Sequence, residues 1–186
     1  MARNNFRRVG AAITAIRNAG SNVLRVLSGS LYLVRGDSMR PTLRDGDLIH
    51  VRRVSGKDAS YRRGSIVVAE MPSLSGDDSL LTNVKRVVGL PGELVRVGND
   101  GAVSIEGTSL AEPYFAVGTP ATPGPGLSWL CDDDAYFLMG DNRADSGDSR
   151  LFGPVPASNI VGRMWLRLPT HRLLGRGSPI RIRRSD

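Results

Sequence analysis

The chain has 186 residues, 40% of them hydrophobic and 23% charged, the balance of an ordinary globular protein of one domain, which excludes wholesale disorder. Its net charge of +7 sits at the ends: residues 1–35 carry six Arg and no acid, residues 163–186 seven Arg against one Asp, and the stretch between is net acidic. That distribution argues against a basic groove in the body and points to tails attracted by an anionic membrane surface or by nucleic acid, with solvated tails as the plainer alternative.

The N-terminal segment comes first. Nowhere do 18 apolar residues run together, and Arg17 and Arg25 interrupt the most apolar stretch, Val9 to Val34. Phe6, Val9, Ile13, Ile16, Val23 and Leu27 recur at near-helical spacing, so residues 1–30 read as a basic amphipathic, membrane-associating segment. The weak, Arg-studded apolar stretch makes a poor cleavable signal peptide.

After Gly29 the pattern changes to short β-prone runs punctuated by Gly, Pro and Asp. Strands are predicted at 31–34, 48–54, 65–71, 80–88, 94–97, 102–105, 135–139 and 160–168. With no helices between them, they imply an all-β body of coiled sheets or a partly open barrel. Residues 117–127, rich in Gly and Pro, read as a surface loop. The predicted layout is a β domain over 31–168 with a small insertion at about 93–135, then a basic tail over 169–186 in which a last edge strand is an option.

Three segments carry reactive groups at strand ends or inside strands. Gly36-Asp37-Ser38-Met39-Arg40-Pro41 follows the first predicted strand; Gly and Pro on either side fix the backbone and leave the Ser38 hydroxyl accessible, as a nucleophile requires. Taken alone the same residues describe an ordinary turn. The second segment places Lys85 inside the apolar strand 80–88. Only two of the 25 basic residues are lysine, Lys85 and the loop residue Lys57, so the chain uses Arg wherever charge suffices. A lysine kept in an apolar strand points to a group that must lose its proton, which Arg cannot do, and burial is the means of lowering its pKa from about 10.4. The plainer reading is a snorkelling lysine at a strand edge.

The third segment, GDNRADSGDSRLFGPV from Gly140, leaves the predicted strand 135–139. It can hold an Asp148/Arg150 ion pair and a hydrogen-bond network bracing a neighbouring site. Asp141, Asp145 and Asp148 lack the spacing of a calcium loop and no Glu closes it, so no metal is expected, nor any cofactor. Cys131 is the single cysteine and reads as packing rather than nucleophile. His50 lies in a strand and His171 in the tail, an arrangement that does not favour a His-based triad.

Taken together, GDSMRPTLRDGD, RRGSIVVAEMP, KRVVGLPGE and GDNRADSGDSRLFGPV occur in the order of the blocks of type I signal peptidases and their mitochondrial inner-membrane relatives, and the chain resembles that family over about 36–92 and 136–156. The resemblance implies a Ser/Lys serine protease on an all-β fold, with Ser38 as nucleophile and Lys85 as general base. Ser146 would orient the lysine, Asp148 and Arg150 would form a structural ion pair, and Asp141 and Asn142 would be structural. The implied activity is removal of signal or leader peptides from exported precursors, bound as extended strands, by a membrane-associated enzyme whose catalytic domain faces away from the cytoplasm. Three departures stand out. Gly36 replaces a serine whose hydroxyl helps form the oxyanion hole in many bacterial members. The 54 residues from 86 to 139 are too few for the accessory domain of larger relatives, and an Arg-bearing segment replaces the usual membrane helix. A self-cleaving repressor-type Ser/Lys peptidase, or a non-catalytic membrane or nucleic-acid binding module, are the alternatives; no nucleic-acid partner is expected.

Overall fold

The computed structural model describes residues 29–53, 60–73, 79–114 and 124–170. The amphipathic segment before Gly29 and the basic tail from His171 lie outside the described residues, as does Lys57. The rest is built from two antiparallel sheets, neither closed into a barrel.

The larger sheet is formed by β1 (Ser30–Leu33), β2 (Leu48–Arg52), β3 (Ile66–Pro72), β4 (Leu80–Gly89), β9 (Ala135–Met139), β10 (Val155–Pro156) and β11 (Ile160–Leu168), in the order β1-β2-β11-β3-β4-β9-β10. The smaller is formed by β5 (Leu94–Val97), β6 (Val103–Ile105), β7 (Thr108–Ser109) and β8 (Leu127–Leu130), in the order β7-β6-β5-β8. A one-turn helix, α1 (Ser149–Phe152), and a 3-10 turn at Ala157–Asn159 complete the described elements.

Burial follows the chemistry of each strand. β9 (AYFLM) is buried throughout and β3 nearly so, because both are covered on two faces. In β5, Val95 and Val97 point inward while Leu94 and Arg96 face solvent, the alternation of a half-buried strand. Val88, Phe137 and Met139 of the larger sheet pack with Val95, Val97, Val103 and Cys131, so the two sheets share this core. Gly89 sits where they approach: a Cβ there would lie 2.4 Å from Val95 and 2.8 Å from Phe137, so only glycine fits. Cys131 is buried in the same cluster, and burial pushes its thiol up to about 11, as suits packing.

Strands form on every predicted stretch, with ends shifted by a residue or two. The differences are β7, β8 and β10, which the sequence pattern does not predict. Of the predicted 117–127 loop, residues 117–123 lie outside the described residues, and at its other end Leu127 opens β8. Pairing of Leu127–Leu130 with Val97–Leu94 supplies the hydrogen bonds that fix β8 beside a Gly/Pro-rich stretch.

Candidate active site

The loop after β1 is fixed by burial and by hydrogen bonds rather than by regular structure. Val34 N–H donates to Asp47 O at 2.8 Å and Gly46 N–H returns to Val34 O at 2.9 Å, closing the loop at its base. Gly36 adopts φ +79°, a conformation costly for residues with a Cβ, and its N–H donates to Asp45 Oδ1 at 3.0 Å. Met39 and Leu43 drop into a core with Val34, Ile49, Val51, Ile66 and Val68, each burial contributing roughly 1.5–3 kcal/mol. Ser38, flanked by these anchors, is left half-buried with its hydroxyl facing β4.

Lys85 lies at the middle of β4, opposite Val67 of β3. It is only 2% exposed, and its Nζ lies 3.1 Å from Ser38 Oγ. Burial holds its pKa below the usual lysine value; nearby Asp148 opposes that shift and Arg150 adds to it. Among the described residues no carboxylate forms an ion pair with Lys85, so desolvation outweighs attraction and favours the neutral amine. Protonated, Nζ donates to Ser38 Oγ across this 3.1 Å contact; only a neutral amine there could instead accept the hydroxyl proton.

The segment leaving β9 braces the Ser38 turn. Asn142 N–H donates to Ser38 O at 2.9 Å and its Nδ2 to Asp37 O at 3.2 Å, tying the Ser38 backbone to this segment. Asp148 is completely buried; it caps α1, accepts the Gly140 N–H at 2.9 Å, and receives Arg150 through Nε at 2.8 Å and Nη2 at 2.9 Å. Arg150 donates onward to the carbonyls of Arg143 and Ser146, so the pair staples the turn together. Ser146 Oγ is buried and makes no hydrogen bond, so the bond to Lys85 that the resemblance implies is not formed here.

Asp141 is paired with Arg86, a residue that the sequence reading passed over. Arg86 Nε and Nη2 reach its two carboxylate oxygens at 2.8 and 2.6 Å, Thr42 Oγ1 donates to the same carboxylate, and Arg86 Nη1 donates to Gly64 O at 2.8 Å. The available signal was the Lys85-Arg86 doublet itself: adjacent strand residues face opposite sides, so two buried cations need two separate environments. His50 is buried in β2 with its ring edge-on to Trp165 at 5.9 Å and has no part in the site. Among the described residues no group of His, Cys, Asp and Glu could hold a metal ion.

A buried amine facing a serine hydroxyl, with two carboxylate–guanidinium pairs beside it, is an arrangement that can do the chemistry of a serine protease without a catalytic histidine. Residues 6–168 match the family model described as signal peptidase, peptidase S26. Relatives include signal peptidase I of Bacillus amyloliquefaciens, 38% identical over 139 residues, covering 70% of this chain and 69% of that protein. Signal peptidase I T of Bacillus subtilis (strain 168) is 37% identical with the same coverage, and signal peptidase I of Leptolyngbya laminosa is 34% identical over 163 residues, 84% of this chain and 77% of that one. Among solved structures, the crystal structure of a signal peptidase I from Enterococcus faecalis V583 matches 55% of this chain and 95% of its own, with 28% identity and a TM-score of 0.47. The chain belongs to the signal peptidase family: it is a serine endopeptidase that removes signal peptides from precursor proteins. That membership decides against the repressor-type and non-catalytic readings. Members of the family are membrane-associated; among the described residues no helix is long and apolar enough to cross a membrane.

Proposed function

We propose that Ser38 is the nucleophile and Lys85 the general base of signal-peptide removal by this chain. The observation that carries this reading is the 3.1 Å contact between Ser38 Oγ and a Lys85 amine that is 2% exposed. Lys85 takes the Ser38 hydroxyl proton as Oγ attacks the scissile carbonyl carbon. The tetrahedral adduct collapses, the lysine gives its proton to the departing amine, and an ester to Ser38 remains. Water, losing a proton to Lys85, then attacks the ester carbonyl; Lys85 returns that proton to Ser38 Oγ as it leaves, freeing the signal peptide's new carboxyl group and restoring both residues.

The Ser38 backbone N–H is the oxyanion donor in this reading; Gly36 has no hydroxyl to add, and its own N–H is committed to Asp45. Ser146 is the hydroxyl that steadies the lysine in this reading: its buried Oγ makes no hydrogen bond here and so is left to take Lys85 as its partner. Asp148, Arg150, Asp141 and Asn142 hold the turn that carries it. The substrate segment binds extended. Support comes from the open edges: β1 ends the larger sheet, and β4 pairs with β9 only through Arg86–Gly89 among the described residues, leaving Leu80–Lys85 one edge to offer. Small side chains before the cut fit the pattern of a signal peptide. Incubating the protein with exported precursors and mapping new N-termini by mass spectrometry should show single cuts just after the signal peptide; cuts scattered through the mature region would overturn this reading.

Residues 1–30, with five Arg and no acid, hold the catalytic unit at an anionic membrane on its extracytoplasmic face. Each Arg near the surface adds about 1 kcal/mol of attraction, screened by salt. Deleting residues 1–30 is expected to release the protein from anionic vesicles at low salt while sparing cleavage of a soluble peptide. Equal sedimentation of the full and shortened chains at low and at high salt would rule out this anchor.

A further inference from the structure

The turn that carries Asp141 and Asn142 is gripped from a second side by Glu112-Pro113-Tyr114, the segment that follows the smaller sheet's β7. The Glu112 carboxylate pairs with Arg143 Nη2, and the two side chains are only 8% and 9% exposed. Arg143 in turn donates from Nε to Gly140 O at 3.1 Å. The Tyr114 hydroxyl donates to the same Glu112 oxygen, and its ring lies 4.0 Å from the Arg86 guanidinium, close enough for a cation–π contact. Burial and the Glu112 carboxylate push the Tyr114 phenol well above its ordinary value, so it remains a proton donor at every working pH.

Both lines of contact end at the groups that hold the nucleophile. Gly140 is the junction of the first: a Cβ on it would fall 2.2 Å from Ser146 Oγ and 2.6 Å from Ser38 O, so any shift of this peptide displaces both serines. Arg86 is the junction of the second, through its two-pronged pair with Asp141, next in sequence to the Asn142 that binds Ser38 O. We propose that Glu112 and Tyr114 form a positioning strap, Glu112 acting through Arg143 on the Gly140 peptide and Tyr114 through Arg86 on Asp141, which together fix where Ser38 stands relative to Lys85. The strap rests on the reading of Ser38 and Lys85 as the reacting pair. It gives the smaller sheet a task in catalysis: presenting a carboxylate and a ring to the turn that registers the nucleophile.

Misplacing reacting groups by about 1 Å costs on the order of a hundredfold in rate, so a loosened strap shows in kcat before it shows in substrate affinity. In the full chain, Glu112→Ala is expected to lower kcat at least about tenfold with KM nearly unchanged, and Glu112→Gln, which keeps an oxygen for both donors, to recover it to within about threefold. A turn that lets water reach Lys85 weakens the burial that depresses its pKa, so the midpoint of the kcat–pH curve moves to higher pH in Glu112→Ala. Asp148 and Arg150, the charges acting on Lys85, are untouched by the change. Tyr114→Phe keeps the ring but not the hydroxyl, and is expected to lower kcat at least about threefold; it carries the test should Glu112→Ala not fold. Wild-type kcat and pH midpoint in folded Glu112→Ala or Tyr114→Phe, or equal losses in Glu112→Ala and Glu112→Gln, would overturn the strap. Lys85→Arg assayed alongside separates the two levels: activity there defeats the reacting pair itself, whereas an inactive Lys85→Arg beside a fully active Glu112→Ala defeats the strap alone.

Discussion

Lys85→Arg is expected to abolish cleavage, lowering kcat by about 10³-fold or more, as Ser38→Ala does. The arginine variant is the sharper of the two because it keeps the positive charge and loses only the ability to give up a proton. The buried 3.1 Å contact has a function in proton transfer only if the amine is neutral when substrate binds. The same condition sets the pH profile: with the pKa of Lys85 lowered by burial, kcat rises with pH and levels off above a midpoint lower than lysine's ordinary value. Stability carries the matching sign. The folded pKa lies below the unfolded one, so between the two values the unfolded chain holds more protons and stability climbs with pH; the penalty is complete below the folded pKa and gone above the unfolded value. Lys85→Met is therefore expected to be inactive yet at least as stable as wild type at neutral pH in urea unfolding. A flat kcat from pH 6 to 10 with a much less stable Lys85→Met would identify Lys85 as a structural cation and sink the mechanism.

Asp148→Ala is expected to cost about 3–5 kcal/mol of folding stability, a large part of the 5–15 kcal/mol typical of a domain. The carboxylate is fully buried and every contact it makes is lost at once: Arg150 Nε and Nη2, Arg150 N–H and Gly140 N–H all lose their acceptor. Leaving the Arg150 guanidinium without its carboxylate in a largely dry turn accounts for most of that cost. The double variant Asp148→Ala/Arg150→Met removes the stranded cation and should recover part of the loss, which a double-mutant cycle in urea measures. An Asp148→Ala protein within about 1 kcal/mol of wild type would show that the pair is ornamental to the fold.

The strand pattern, and the two residues proposed here as the reacting pair, stand out in one dimension because each carries a local signal. Alternation along β5 and the continuous apolar run of β9 report how many faces of a strand are covered, whatever it pairs with. Lys85 was conspicuous because a chain that otherwise uses arginine put a lysine in an apolar strand. Ser38 was weaker by itself, its neighbours being those of any turn, and gained weight only from the family-like blocks around it.

Pairing over long sequence distances was not legible. The order β1-β2-β11-β3-β4-β9-β10 decides that the turn after β1 faces the middle of β4, and no stretch of residues encodes that order locally. Arg86 finds Asp141 fifty-five positions away, and Glu112 finds Arg143 thirty-one away. Neither Asp141 nor Glu112 announces its partner, because a carboxylate before an Asn or a Pro reads the same whether solvated or buried. β7 and β10, two residues each, are too short to show a period, and β8 directly follows a Gly/Pro-rich stretch; all three form because a neighbouring strand offers its edge. Ser146 marks the boundary most clearly: its place in the motif suggested a bond to Lys85, while the rotamer and the packing of its hydroxyl against Gly140 were decided by the tertiary structure. Local backbone preference and burial periodicity act over a few residues, whereas the juxtaposition of charged and nucleophilic groups is set by strand register and by the cost of leaving a buried charge unpaired, and both of these exist only once the sheets have formed.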